Sequence, residues 1–516
     1  MIWISIISLF IGALLPLAFS PFNIYSIAFI IPAILLFLWK NTSPRKALVT
    51  GWLFGLGFFG IGTSWIFISI HRFGNSSTIL AALITFLFVA MLAFYPATLG
   101  YVFRKCFSRF SDAKKCLLVF PALWVIWEYA RCEFFSGFPW LLLGYAQLTT
   151  PLQGLAPIVG IYGLSLATTA ISGALVLLAT KQSRFIKIIC FVVIFGLIGS
   201  GWILKDHVWT KPIGLPLKVS LIQGNIPQSV KWDASYVMQN INIYKNLTFD
   251  HFSSELIVWP EGAFPVYAQD AKTFIRQLGQ LAKKNNSNII FGVPIENGTE
   301  YYNGVLLIGD NNGQYLKQHL VPFGEYTPLS DIFGKIMTYF KIPMSGFSRG
   351  PKNQAALKIK IENPPQPPFS KGGSSFTRPT PQSSLFKAER NIRIAPFLCY
   401  EIAFPNQVLH SAEKSELLLT LSDDSWFGKS IALPQHLQMA QMRSLETGRF
   451  QLLSTNTGIT AFISPFGKII KGAPIDQRIV ITDDVQPMTG KTPLMIWHYY
   501  PITALITLML LLLFVC

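Results

Sequence analysis

The chain has 516 residues, 51% of them hydrophobic and only 13% charged, with a net charge of +17 and a mean hydropathy of +0.43. A charged share of about 25% is usual, so this chain is neither disordered nor wholly soluble. The positive charge sits largely in short runs between apolar stretches, which favours a membrane rather than nucleic acid as partner.

Seven apolar segments, at 2–19, 23–39, 50–70, 77–103, 116–130, 155–180 and 185–204, fill the first two fifths of the chain. Crossing a hydrocarbon core takes about 20 residues, and the segments at 23–39 and 116–130 are short of that. The first segment lacks a basic leader and further spans follow it, which argues against a cleaved signal peptide. An eighth segment, 494–516, opens with Trp497, Tyr499 and Tyr500, aromatics suited to a lipid–water boundary. Lys40, Arg45 and Lys46 lie in the second loop. The fourth holds Arg104, Lys105, Arg109, Lys114 and Lys115, and the sixth Lys181, Arg184 and Lys187; the intervening loops hold only Arg72 and Arg131. By the positive-inside rule both termini are expected in the cytoplasm, with residues 205–490 on the far side. The loop from Glu128 through Arg131 and Glu133 to Trp140 sets charges beside aromatics. It reads either as a site at the membrane surface or as an interfacial belt with a local ion pair.

Between 205 and 490 the texture changes. Short β-rich runs at 217–223, 256–259, 288–294, 305–309, 315–321, 392–399, 417–421 and 450–454 alternate with helical patterns at 271–285 and 433–449. Interleaved strands and helices indicate an α/β layered domain. Residues 361–386 are dense in Pro, Ser and Gly without apolar period, and read as a flexible surface insertion or a docking motif. Three domains are expected: 1–204 with seven spans, 205–490 with the chemistry, and 494–516 as a last span.

The six cysteines are Cys106, Cys116, Cys132, Cys190, Cys399 and Cys516; they form no Cys-x-x-Cys pair, and no His-rich cluster accompanies them. A metal or other cofactor is therefore not expected. Cys399 stands alone in the far-side domain, at the end of an apolar strand, and is either buried and inert or a nucleophile. Glu261 follows an apolar run and Pro260, Lys317 sits in a strand eight residues before Glu325, and Asp423 and Asp424 follow another strand. Each alone reads equally as a cap, an exposed strand residue or a turn.

Together these segments resemble the nitrilase (carbon–nitrogen hydrolase) superfamily, whose Glu-Lys-Cys order matches Glu261, Lys317 and Cys399. Nearly the whole chain outside 361–386 is similar to the apolipoprotein N-acyltransferases, through Gln223–Gln228, Trp232, Trp259-Pro260-Glu261, Lys317–Glu325, Cys399-Tyr400-Glu401, Trp426-Phe427-Gly428, Thr455–Gly458 and Gly137–Trp140. Asp423 and Ser425 depart from the family's Asn and Ala. The resemblance implies a multi-pass helical membrane domain and a nitrilase-like αββα sandwich on the periplasmic side of a bacterial inner membrane. It further implies acyl transfer from a membrane phospholipid, through a Cys399 thioester, to the N-terminal amine of a diacylglyceryl apolipoprotein. Glu261 would act as base, Lys317 would face the oxyanion and lower the thiol pKa, and Glu325 would orient the cluster. Tyr400, Glu401 and Trp232 would shape the pocket. The alternative is a membrane-tethered nitrilase-type amidase or hydrolase, with water or ammonia chemistry on a soluble substrate.

Overall fold

The computed structural model describes residues 2–74, 76–327, 346–362 and 389–515. Residues 363–386, the body of the stretch read as an insertion, lie outside them.

The first 204 residues are helical. Helices Thr78–Phe107, Pro151–Leu178 and Arg184–Leu204 are long and apolar enough to cross a membrane, and Pro44–Gly62 with Trp65–Phe73 forms a fourth candidate bent by 54°. Residues Ile4–Ala18, Ser26–Trp39 and Tyr500–Leu511 form shorter apolar helices. The 116–130 segment becomes helix Phe120–Glu133, whose last two turns carry Glu128, Arg131 and Glu133. Within Pro151–Leu178 the α-helix Ala156–Leu178 is the buried centre of this region, and it breaks at Gly160, where φ is +62°.

The strands after residue 205 are β1 (Lys211–Pro212), β2 (Leu217–Gln223), β3 (Leu256–Val258), β4 (Asn288–Asn297), β5 (Glu300–Ile308), β6 (Gly313–Leu316), β7 (Leu357–Glu362), β8 (Glu389–Leu398), β9 (Leu417–Ser422), β10 (Phe450–Thr455), β11 (Ala461–Ile463), β12 (Ile469–Gly472), β13 (Ile479–Val485) and β14 (Met488–Thr489). They form two six-stranded sheets, β13-β2-β3-β4-β5-β6 and β12-β11-β10-β9-β8-β7, and a two-stranded β1-β14 pair. Alternation within strands builds the layers. Leu217, Val219, Leu256 and Val258 of the first sheet pack against Leu417, Leu419, Ile392 and Ile394 of the second. Ile222, Ile257 and Ile289 point the other way, onto helices Val237–Phe249 and Lys272–Lys284. The central strands are covered on both faces and so read as continuous apolar runs. The result is an αββα sandwich.

The second sheet's outer layer consists of helices Pro405–Ala412 and Ala432–Thr447. Its core continues into the helical region: Phe397, Leu418 and Leu453 belong to the same buried cluster as Trp140, Tyr145 and Ile161. Helix Ala432–Thr447 is therefore enclosed on nearly all sides, although half its side chains are polar; some of those groups bond across the junction and others within the helix. Trp140 Nε1 donates to Gln435 at 2.6 Å, Gln438 donates to Tyr145 O at 3.1 Å, and Arg443 lies 2.7 Å from Glu446. At the Gly160 break the freed N–H of Ile161 donates to Glu446 at 2.7 Å, so a carboxylate from the sandwich caps a helix of the other half.

Several strand bounds differ from the sequence reading. The 315–321 run is a strand only to Leu316. Beyond it, the N–H groups of Gln318 and His319 turn to Glu401, at 2.7 and 3.1 Å, instead of a neighbouring strand. Strands β7, β11, β12 and β13 and helix Val237–Phe249 add to the elements expected from the sequence; β7 alternates apolar and polar residues and buries Leu357, Ile359 and Ile361, while β11 is only three residues long and is defined by its pairing with β10 and β12.

Candidate active site

Glu261, Lys317 and Cys399 come from three strand ends, as sequence position suggests, and converge with Glu325 on one cluster. Glu261 follows β3 and is buried. The chain there runs hard against β4: a Cβ on Gly292 would lie 2.7 Å from the Glu261 Cα, so only glycine admits this approach. Lys317, the first residue after β6, is 1% exposed and reaches Glu261 Oε1 at 3.2 Å and Glu325 Oε1 at 2.8 Å. Glu325 Oε2 accepts from the Val321 N–H at 2.8 Å, which closes the turn that brings it back.

Asn303, absent from the sequence reading, completes the cluster. Its Nδ2 donates to Glu261 Oε1 and to Glu325 Oε1, both at 2.8 Å, while its carbonyl accepts from the Lys317 N–H at 2.8 Å. Two donors, an ammonium and an amide, thus bridge two carboxylates. The remaining Glu261 oxygen, Oε2, accepts from the Asp423 N–H at 3.0 Å. Burial opposes the charge on Lys317, but Glu261 and Glu325 outweigh it and hold the ammonium well above its ordinary pKa.

Cys399 occupies the turn between β8 and a 3-10 helix, Cys399–Ala403, with φ +51°. A non-glycine residue in this left-handed region costs about 1–3 kcal/mol, a strain concentrated at functional sites. Burial first and then Glu261 push the thiol well above its ordinary pKa; Lys317 pulls down and loses. Lys317 thus lowers the thiol pKa as its charge suggests, but burial and Glu261 outweigh it, so attack by sulfur calls for a base to take the proton.

Glu401 is fully buried and faces no open space. It accepts from Tyr315 Oη at 2.9 Å, Gln407 Nε2 at 2.9 Å and the Leu398 N–H at 2.8 Å, in addition to Gln318 and His319. It ties the Lys317 segment to the cysteine turn rather than lining a pocket. Trp232 is exposed, with its ring beside Gly262. Its neighbour Lys231, also missed in the sequence, is buried and donates to Glu261 O at 3.0 Å and to Asp423 at 2.6 Å. That ammonium balances the extra charge which Asp423 brings.

The Glu128–Trp140 loop joins the site from the helical half. Among the described residues Arg131 pairs with no carboxylate; it donates to the carbonyls of Phe138 at 2.8 Å and Trp140 at 2.5 Å. The loop so held accepts from Tyr400 Oη at Gly137 O, 3.0 Å, and from His319 Nε2 at Ser136 O, 2.8 Å. Gly137 has φ +77°, and a Cβ there would strike Cys132 O at 2.0 Å.

A thiol at a strained turn, a buried carboxylate and a buried lysine at adjacent sheet ends define a carbon–nitrogen hydrolase-type enzyme, with a helical region built into its site. Residues 218–493 match the family model "Carbon-nitrogen hydrolase", and residues 11–174 match "Apolipoprotein N-acyltransferase N-terminal domain". The apolipoprotein N-acyltransferase of Coxiella burnetii is 45% identical over 512 residues, covering 99% of each chain. That of Pseudomonas syringae pv. tomato is 38% identical over 513 residues, covering 98% of this chain and 95% of its own. A solved CN-hydrolase superfamily protein from Xanthomonas campestris aligns with 57% of this chain and 97% of its own at 16% identity, with a TM-score of 0.35. The chain belongs to the apolipoprotein N-acyltransferase family, and it is an acyltransferase of lipoprotein maturation.

Proposed function

We propose that Cys399, Glu261 and Lys317 transfer an acyl chain from a phospholipid to the α-amino group of a diacylglyceryl apolipoprotein. The observation that carries the assignment is the Glu261–Lys317–Glu325–Asn303 network closed around the Cys399 turn. Glu261 takes the thiol proton as sulfur attacks the ester carbonyl. Lys317 and the Tyr400 N–H stabilise the tetrahedral oxyanion. The intermediate expels the lysophospholipid alkoxide, which takes the proton from Glu261, and leaves a thioester. The lipoprotein amine then attacks, Glu261 accepts its proton, and the departing thiolate regains one as the amide forms. Ester to thioester to amide needs no outside energy source. Tyr400 and Glu325 act as supports, Glu401 as a clamp, and exposed Trp232 as a contact for substrate.

Residues 1–204 supply seven crossings and 494–516 an eighth, with residues 205–490 periplasmic. The basic second and fourth loops support this reading, because they meet in space. Arg104 donates to Lys40 O at 2.6 Å, Lys40 lies 2.8 Å from Asp112, and Lys114 donates to Leu513 O at 3.3 Å, which sets the C-terminal helix end beside them. An impermeant maleimide applied to intact spheroplasts should label Lys283→Cys and leave exposed Cys106 untouched until the membrane is opened. The reverse pattern refutes the orientation.

The chemistry is tested by intact-protein mass spectrometry. Phospholipid alone should acylate Cys399 and release lysophospholipid, and Cys399→Ala and Glu261→Gln should block this. A diacylglyceryl peptide with a free amine should discharge the acyl-enzyme, and its acetylated form should not. Equal discharge by both peptides makes water the acceptor and the enzyme an amidase-type hydrolase.

A further inference from the structure

A buried histidine stands beside the nucleophile and has no part in the scheme above. His436, on helix Ala432–Thr447, is 1% exposed. Its Nε2 lies 3.2 Å from the carbonyl oxygen of Cys399, and its Nδ1 lies 3.2 Å from Oδ1 of Asp424. Both oxygens are acceptors only. Nε2 is hydrogen-bonded to the Cys399 carbonyl, while Nδ1 meets Asp424 at ion-pair distance without hydrogen-bond alignment; a neutral imidazole, with a single N–H, would set a lone pair against one of these oxygens, whereas the doubly protonated ring sets positive charge toward both. Asp424 is fixed in turn by the Ser422 hydroxyl at 2.6 Å. The groups that bear on the charge of His436 are Asp424, Glu261 and the Cys399 carbonyl; the rings packed on it, Trp140 and Phe427, are uncharged. Burial opposes protonation, but Asp424 and the other oxygens outweigh it, so the pKa stands above the ordinary histidine value.

The carbonyl that His436 touches belongs to the Cys399–Tyr400 peptide. The other end of that peptide is the Tyr400 N–H, which stands in the first turn of the 3-10 helix, where amides have no intrahelical acceptor. A hydrogen bond to the carbonyl of an amide polarises it and strengthens its N–H as a donor. We propose that His436, kept as an imidazolium by Asp424, is a positioning residue that polarises the Cys399–Tyr400 peptide and so strengthens the oxyanion hole. The inference rests on the assignment of Cys399 and the Tyr400 N–H given above. No proton moves in this step; His436 keeps both of its hydrogens throughout.

The test uses the full-length protein in detergent micelles. Two quantities are read: the single-turnover rate of Cys399 acylation by a labelled phosphatidylethanolamine, and the affinity for palmitaldehyde. The aldehyde adds reversibly to the thiol and places an oxygen where the oxyanion forms. His436→Met should slow acylation about tenfold, less than the 10²–10³ of losing a hole donor outright. It should weaken aldehyde binding by a similar factor and leave the KM for phospholipid within twofold. His436→Gln, which keeps an uncharged N–H donor for the Cys399 carbonyl, should recover part of both. A role confined to packing would move melting or KM without singling out the aldehyde. Asp424→Asn serves if the Met variant does not fold: the imidazole then loses its proton more readily, so the deficit against the parent should grow as pH rises from 6 to 8.5. The proposal is overturned if His436→Met acylates and binds aldehyde within twofold of the parent. It is equally overturned if the Asn variant's ratio to the parent is flat with pH. A parent protein that is never acylated at Cys399 refutes the triad assignment instead.

Discussion

Exchanging Asn303 for Asp changes one NH2 into an oxygen and leaves size and shape almost untouched. Its effect should nonetheless be severe. Asn303 Nδ2 gives one hydrogen to Glu261 and one to Glu325, each at 2.8 Å. Hydrogen bonds to charged groups contribute about 1.5–3 kcal/mol each, so the pair is worth about 3–6 kcal/mol. The aspartate also sets a third carboxylate against one ammonium. At about 4 Å and an effective dielectric near 20, each like-charge contact costs about 4 kcal/mol before relaxation. Much of this would be relieved by rotation of Glu261 away from its place, which is the motion that harms catalysis. If half of the lost hydrogen-bond energy, about 1.5–3 kcal/mol, falls on the acylation barrier, the rate drops about 10- to 150-fold. Single-turnover acylation of Cys399 by labelled phospholipid measures this directly. As pH falls, the introduced carboxyl protonates and regains one donor, so the ratio of variant to parent should improve toward acid pH. Glu325→Gln, which removes a charge but keeps an oxygen for Lys317, should fall less, by about tenfold. An Asn303→Asp variant that acylates within twofold of the parent would refute the view that this amide organises the base.

Strands β7 and β8 pair with Glu362 opposite Glu389, so a two-residue Asn-Gly turn can replace residues 363–388; that chain should fold and keep its acyl-transfer rate within about twofold, and inactivity with normal expression would refute it. Burial chiefly, with Arg349 and Lys317 adding, lowers the His319 pKa to about 4. The unfolded chain takes up this proton near 6.5 and the folded one only near 4, so the contribution is complete above 6.5 and lost as pH falls through that window, by up to about 3 kcal/mol. Thermal inactivation midpoints between pH 7 and 4 should therefore drop more for the parent than for His319→Gln. Glu446→Leu strands the buried guanidinium of Arg443 and uncaps Ile161, which should destabilise the junction by about 3–5 kcal/mol. Adding Arg443→Met should restore part of the lost melting temperature, because no unpaired charge then remains.

Much of this protein is legible in its linear order. Apolar length and the asymmetry of basic loops do not depend on tertiary contacts, so the helical half and its proposed orientation follow from local composition. Strands β3 and β9, buried along their whole length, are largely apolar runs, and Glu261, Lys317 and Cys399 follow the ends of β3, β6 and β8, where backbone pairing stops and side chains come free. Glu261, Lys317, Glu325 and Cys399 were therefore open to a reading from sequence.

Tertiary structure alone decided the rest. Asn303 looks like any polar strand residue until β4, β5 and β6 register it between two carboxylates. The charge of Asp423 has no meaning without Lys231, which is 192 positions away in the chain and 2.6 Å away in space. His436 belongs to a helix whose polar side chains resemble a solvent face, yet that helix is enclosed because the sandwich and the helical region share one core. The lysine beside the nucleophile lowers the thiol pKa, but only the fold shows that burial and Glu261 outweigh it. Burial and the pairing of long-separated charges set proton affinities in a low-dielectric site, and neither quantity exists until the chain has folded.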